Sequence, residues 1–225
     1  MKVASLFSGG KDSTYSIYIS QQRGWEVTKL VTVHPKDSNS HLYHTPNLEL
    51  TSLLSECLDI TLIKTEAGVG EDEELFALSE ILSELEIDGI VMGTIASDYQ
   101  KSRIDRICHK LGLKTFAPLW RHNQKELLHD YIASGFHILI TGVAAEGLDE
   151  TWLGREIDDE SGRELIALHK RHGLSICGEG GEYETLVIDG PNFKKRLRIV
   201  KATKDFIGMS GVFKILKAEV LDKGE

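Results

Sequence analysis

The chain has 225 residues, 41% of them hydrophobic, which suffices for one large α/β domain or for such a domain with a smaller appendage. A formal net charge of −9 works against a general nucleic-acid-binding face, because such faces displace phosphate counterions with clustered Lys and Arg. Its three cysteines, Cys57, Cys108 and Cys177, stand far apart with no Cys-x-x-Cys, which argues against a disulfide framework or a four-sulfur metal site and for a reducing cytoplasm.

The chain opens straight into Val3-Ala4-Ser5-Leu6-Phe7 without a charged and apolar leader, and no apolar run approaches membrane-spanning length. A soluble, unexported, cytoplasmic protein is expected. Lys2 to Phe7 reads as a buried strand, followed by a Gly-rich turn and a helix from Asp12 to Gln22 that stops at Gly24. Glu26 to Val33 is a second strand. Thr45-Pro46 resembles an N-cap with Pro at the first helical position, leading a helix to Leu58, and Ile60 to Ile63 follows as a third strand. Glu71 to Leu85 is an amphipathic helix whose first four residues, all acidic, suit the positive end of its dipole. Ile87 to Met92 is a fourth strand, and a turn through Gly93 leads into a helix from Asp98 to Leu111. Strands alternating with helices imply right-handed crossovers and a mostly parallel sheet covered on both faces. A helix over Asn123 to Ser134 and a strand over Phe136 to Thr141 continue the chain. Beyond Gly142 the pattern changes to a Gly- and acid-rich stretch, a helix near Gly162 to His172, and strands at Leu186 to Ile188, Leu197 to Ala202 and Val212 to Val220. A boundary is expected near Leu119, dividing residues 1–118 from 119–225.

Between the first strand and the first helix lies Ser8-Gly9-Gly10-Lys11-Asp12-Ser13. Such a turn offers backbone N–H groups and the positive helix end to one anion, and suits phosphate. Glycines permit close backbone approach, Ser8 and Ser13 add hydroxyl donors, and Lys11 adds a point charge. Asp12 would repel bare phosphate, so its natural task is to hold Mg²⁺ or to cap the helix. The segment is not the Gly-x-x-x-x-Gly-Lys-Ser/Thr loop, since position 5 is Ser and Lys11 precedes Asp.

The hexapeptide resembles the PP-loop of the N-type ATP pyrophosphatases, which implies a Rossmann-like, HUP-type α/β fold, with a smaller C-terminal α/β subdomain, and cleavage of ATP between its α- and β-phosphates. Further segments are similar to one branch of that superfamily, the diphthine-ammonia ligases. These are His44-Thr45-Pro46-Asn47, Ser97-Asp98-Tyr99-Gln100 with Arg103, and Cys177-Gly178-Glu179-Gly180-Gly181-Glu182-Tyr183-Glu184-Thr185, preceded by Val143 to Leu148 and Leu153-Gly154. The resemblance spans most of the chain. It implies ATP and Mg²⁺ as cofactors, ammonium and diphthine-bearing elongation factor 2 as partners, and no membrane; a homodimer is the default. Eukaryotic members are expected to be longer, with this chain matching a short archaeal form.

By this resemblance Ser8, Gly9, Gly10, Lys11, Asp12, Ser13, His44 and Gly93 bind ATP, with Asp12 holding the metal. Tyr99, Gln100, Arg103, Glu179, Glu182, Tyr183, Glu184 and Thr185 bind substrate, and Lys11, Asp12 and Glu182 take part in catalysis. His41 and His44 lack a third ligand nearby, which disfavours zinc. Three acids among glycines make a poor helix face and a poor strand start, yet beside a tyrosine ring they suit the trimethylammonium of diphthine or ammonium itself. One of them would take the ammonium proton. Cys177 beside those acids is expected to be inert, because carboxylates raise a thiol's pKa. The rival readings are a PP-loop enzyme that modifies tRNA and a nucleotide sensor without chemistry.

Overall fold

The computed structural model describes residues 1–35 and 47–224. Its first sheet has five parallel strands, β1 (Lys2–Leu6), β2 (Glu26–Pro35), β3 (Thr61–Ala67), β4 (Gly89–Val91) and β5 (Lys114–Phe116), in the order β3-β2-β1-β4-β5. The chain winds outward from β1 through β2 to β3, then returns to lay β4 on the other side of β1. The crevice between the C-terminal ends of β1 and β4 is therefore a topological switch point, where ligands of open α/β sheets sit.

Side-chain alternation along the central strands sorts the helices. Val3, Leu30 and Val91 join a core with Ile17 of α1 (Lys11–Gln22) and Leu54 of α2 (Thr51–Leu58). Ala4, Val31 and Ile90 face the opposite side, against Leu78 and Leu82 of α3 (Glu71–Ser83) and Ile104 and Cys108 of α4 (Asp98–Leu111). Local chemistry sets the ends of α4: Ser97 Oγ accepts from Gln100 N, and Gly112 takes the left-handed conformation that stops the helix.

The remaining elements build a second, four-stranded antiparallel sheet, β7-β6-β9-β8, with two helices. They are α5 (Gln124–Ala133), β6 (His137–Val143), α6 (Asp159–His172), β7 (Tyr183–Asp189), β8 (Lys195–Ile207) and β9 (Ser210–Asp222). Leu127, Tyr131, Phe136, Ile138 and Leu186 of this half share one buried cluster with Phe7, Tyr15 and Ile17 of the first.

Three expectations are corrected. β5 was not anticipated, since it is three residues long and only Phe116 in it is strongly apolar; its pairing with β4 makes it a strand. Tyr183, Glu184 and Thr185 open β7, although three acids among glycines argue against a strand, because they pair with Val143, Gly142 and Ile140. α2 begins at Thr51 after a 3₁₀ turn over Leu48–Leu50; its expected start at Thr45-Pro46 lies outside the described residues, as does His44. Among the described residues no helix is long and apolar enough to cross a membrane.

Candidate active site

The loop after β1 is held by β7. Gly10 is the N-cap of α1 in extended conformation and has no side chain to cap the helix. Lys11 N donates instead to Thr185 Oγ1 at 3.1 Å, and Val187 N donates to Gly9 O at 2.9 Å. Ser13 Oγ donates to Gly10 O at 3.1 Å and Gly10 N donates to Ser8 Oγ at 3.3 Å, so both serines brace the turn from within. Gly9 has φ +79°, a left-handed conformation for which glycine is best suited. The amides of Asp12 and Ser13 make no hydrogen bond among the described residues, an arrangement suited to an anion at the positive helix end.

The turn after β4 closes the other side. A Cβ on Gly93 would come within 2.6 Å of Asp12 C and Ser13 N, so only glycine lets the two loops approach this closely. Ala96 N donates to Glu179 Oε2 at 2.9 Å, which ties the acidic segment to the same turn.

Lys11 is only 4% exposed. Its Nζ donates to Asp12 Oδ2 at 2.9 Å and to Cys177 O at 2.6 Å, and lies 5.2 Å from the centre of the Tyr183 ring. Burial alone would push this ammonium's pKa down; the Asp12 carboxylate, Tyr183 and Cys177 together more than offset it and hold Lys11 above the ordinary range, hence charged. Tyr131 OH donates to Asp12 Oδ1 at 2.6 Å. Tyr131 and Gln124 went unrecognised in the sequence. Gln124 Oε1 accepts from Cys177 N at 3.2 Å and from Ser175 Oγ at 3.0 Å, so α5 fixes the segment whose carbonyl meets Lys11. Both lie on a helix that reads as ordinary, and no motif marks them.

The acids of the motif do different things. Glu182 spans its own turn, with Oε1 accepting from Ser175 N and Oε2 from Gly180 N, both at 2.8 Å. Tyr183 is buried; its hydroxyl donates to Ile176 O at 2.6 Å and the cation its ring faces is Lys11. Burial raises the carboxyl pKa of Glu179, and nearby Asp12 adds to the effect. Glu184 is half-buried and its carboxyl makes no hydrogen bond among the described residues. Burial pushes it up to about 7, Lys11 opposing and Asp12 reinforcing the shift. Burial likewise pushes the Cys177 thiol up to about 12, against the pull of Lys11, so it is no nucleophile at neutral pH.

Tyr99, Gln100 and Arg103 stand on the first turns of α4, at the C-terminal rim of the parallel sheet. The Arg103 guanidinium lies 3.4 Å from the centre of the Tyr99 ring, and both side chains bond the carboxylate of Glu71 at the start of α3. Tyr99 and Arg103 thus turn toward α3, whereas Glu179 bonds the turn after β4 and Glu184 lies near Lys11 and Asp12. Among the described residues no group of three or more His, Cys, Asp or Glu is placed to hold a metal ion.

A parallel sheet with a phosphate-suited loop at its switch point, joined to a second, acid-bearing antiparallel unit, defines an open α/β protein of the doubly wound class. Residues 1–115 match the model of the diphthamide synthase N-terminal domain and residues 123–221 that of the diphthamide synthase C-terminal domain. The chain belongs to the diphthamide synthase family. It is 35% identical to the diphthine–ammonia ligase of Homo sapiens, over 95% of this chain and 88% of that protein. It is also 35% identical to the diphthine–ammonia ligase of Schizosaccharomyces pombe, over its whole length and 40% of that protein. The expected greater length of eukaryotic relatives is thus large for the Schizosaccharomyces pombe protein and slight for the human one. A solved structure from Methanocaldococcus jannaschii, described as a predicted subunit of tRNA methyltransferase, is 21% identical with a TM-score of 0.45, covering 84% of this chain and 99% of that one.

Proposed function

We propose that this chain joins ammonia to the diphthine carboxylate of translation elongation factor 2 in an ATP-dependent reaction that yields diphthamide, AMP and pyrophosphate. The observation that carries the reading is the docking of the acidic segment on the phosphate loop, through Thr185 on Lys11 and Val187 on Gly9. It puts carboxylates beside the place where a nucleotide phosphate would sit.

In the first step a diphthine carboxylate oxygen attacks the α-phosphorus; the bond to the β-phosphate oxygen breaks and pyrophosphate leaves. The amides of Asp12 and Ser13 and the fixed charge of Lys11 face the negative charge that develops on it. In the second step ammonia attacks the acyl carbon and AMP departs. Ammonia is mostly ammonium at neutral pH, so a base must take a proton before nitrogen can attack. Glu184 suits that task better than Glu182, whose oxygens already serve Ser175 N and Gly180 N. Glu179, at the junction of the two loops, and Tyr99, Gln100 and Arg103, at the rim, orient the substrate. Mg²⁺ accompanies ATP in such chemistry and takes one or two carboxylates besides phosphates and water. Asp12 would hold the ion only through lone pairs that Lys11 Nζ and Tyr131 OH leave free on its two oxygens, and the ion would draw off charge from the phosphates. Free, buried Cys57, Cys108 and Cys177 suit a cytoplasmic setting.

The test is incubation of the protein with Mg·ATP, ammonium and diphthine-bearing elongation factor. AMP is expected together with a substrate mass changed by replacement of a hydroxyl by an amino group, and Lys11→Ala is expected to lower the rate by about 10²–10³-fold. AMP released only in the presence of tRNA would select a tRNA-modifying enzyme, and tight ATP binding without hydrolysis a sensor.

A further inference from the structure

The two longest strands, β8 and β9, form a hairpin in which each is 13 residues long, yet β9 meets β6 only at Val212 and Gly211. Away from that pairing one face of the hairpin packs on the core through Leu197, Phe213, Ile215 and Val220, and its other face is left to solvent. Its turn exposes Ile207 to 83% and Met209 to 70%, and Val200, Val212 and Leu216 stand exposed behind them. Such clustering of large apolar side chains in water marks an interaction surface. Charge singles out the same element. Residues 195–223 carry eight Lys and Arg against three Asp and Glu, in a chain whose formal net charge is −9. Lys201, Lys204, Lys214 and Lys217 are all exposed, and neighbouring Lys201 and Lys217 are paired across the strands although like charges repel.

Register ties this element to the candidate site. Val143 of β6 pairs with Tyr183 on one side and with Gly211 on the other, and Gly142 pairs with Glu184 and Val212 in the same way. The hairpin's turn is thus at the same end of the second sheet as the start of β7, two strand spacings away, or roughly 10 Å. A macromolecule held by the turn would present a side chain to Glu184 and the loop behind it.

We infer that the β8–β9 hairpin docks the protein substrate, gripping an acidic surface with apolar residues at its centre. The inference rests on the proposed function, because only a protein-borne acceptor needs such a grip. Single-stranded nucleic acid is a poorer fit: its bases stack on exposed aromatic rings, and Phe206 and Phe213, the aromatic residues of the hairpin, are half-buried.

The experiment compares the wild type with the paired substitutions Ile207→Ser/Met209→Ser and Lys214→Glu/Lys217→Glu. Each pair is expected to raise KM for diphthine-bearing elongation factor about tenfold, with KM for ATP and the melting temperature unchanged. The lysine pair should matter less as ionic strength rises. Unchanged KM for the protein substrate in both variants would overturn the inference. So would variants that only convert a dimer to a monomer in light scattering, which would make the face a contact between copies of this chain, or a loss of tRNA binding in place of protein binding. If the wild type makes no AMP, the proposed function fails by itself. Calorimetric binding of the same elongation factor to the same variants still decides whether the hairpin docks it.

Discussion

Glu184 is the residue on which the proposed chemistry turns, and its protonation makes separate predictions for rate and stability. A carboxyl raised to about 7 is neutral below that pH and becomes a base above it. Amide formation is therefore expected to rise with pH through about 7, and in Glu184→Gln the rate should fall and that limb of the profile disappear, as followed by AMP release. Stability runs the other way. Between the ordinary glutamate value of 4.5 and about 7 the folded state binds more protons than the unfolded chain, so stability falls as pH rises across that window. Glu184→Gln should then stabilise the protein above pH 7 by the order of 1–2 kcal/mol, discounted for partial solvent access, and not at pH 4, which thermal melts at the two pH values would reveal. Tyr131 works at the same scale. Its hydroxyl holds one oxygen of Asp12, and Tyr131→Phe leaves that oxygen without its donor at a cost of about 1.5–3 kcal/mol. A roughly tenfold rise in KM for ATP is expected if Asp12 swings away from its place beside Lys11.

At the scale of elements, the site depends on three loops that no single strand-helix unit supplies. The turn after β4 packs its Gly93 against the backbone of Asp12 and Ser13, the two residues whose amides make no hydrogen bond among the described residues. Gly93→Ala must push those segments apart, at about 1–3 kcal/mol of stability, and should abolish nucleotide binding measured by calorimetry while the far-ultraviolet circular dichroism persists. β7 contributes the other contact. Thr185 caps the amide of Lys11 across a sequence separation of 174, so Thr185→Val should weaken ATP binding with little loss of fold. The strand that carries Thr185 reads in the sequence as an acidic turn, since its pairing with β6 is a long-range property.

At the scale of the molecule, the two sheets are matched by two family models, yet they share a core. Tyr15 of α1 packs edge-on against Tyr131 and Phe136, with ring centres 4.8 Å and 5.6 Å apart. We propose the division at residues 118 and 119 as a boundary between sequence modules that fold together. Residues 1–118 expressed alone would expose Phe7, Tyr15 and Ile17, and are expected to show no cooperative melt by calorimetry. A cooperative melt of the fragment would make the two halves separate folding units.

Hydrophobic periodicity, glycine placement and capping residues are local, so β1, the loop after it, α1, α3 and α4 were legible from the residues alone, as was the phosphate-suited chemistry of Ser8 to Ser13. The sharing of labour among the acids was not. Glu182 and Glu184 are alike in sequence; Glu182 lies in the turn before β7 and closes that turn on Ser175 N and Gly180 N, whereas Glu184 is fixed within β7 by its pairing with Gly142 and is left beside Lys11 and Asp12. The contribution of Tyr131 likewise came from packing α5 against the first helix, and those of Gln124 and the Cys177 carbonyl from α5 bonding the segment before β7. Burial sets the charge state of a carboxyl, and burial is a property of the assembled fold.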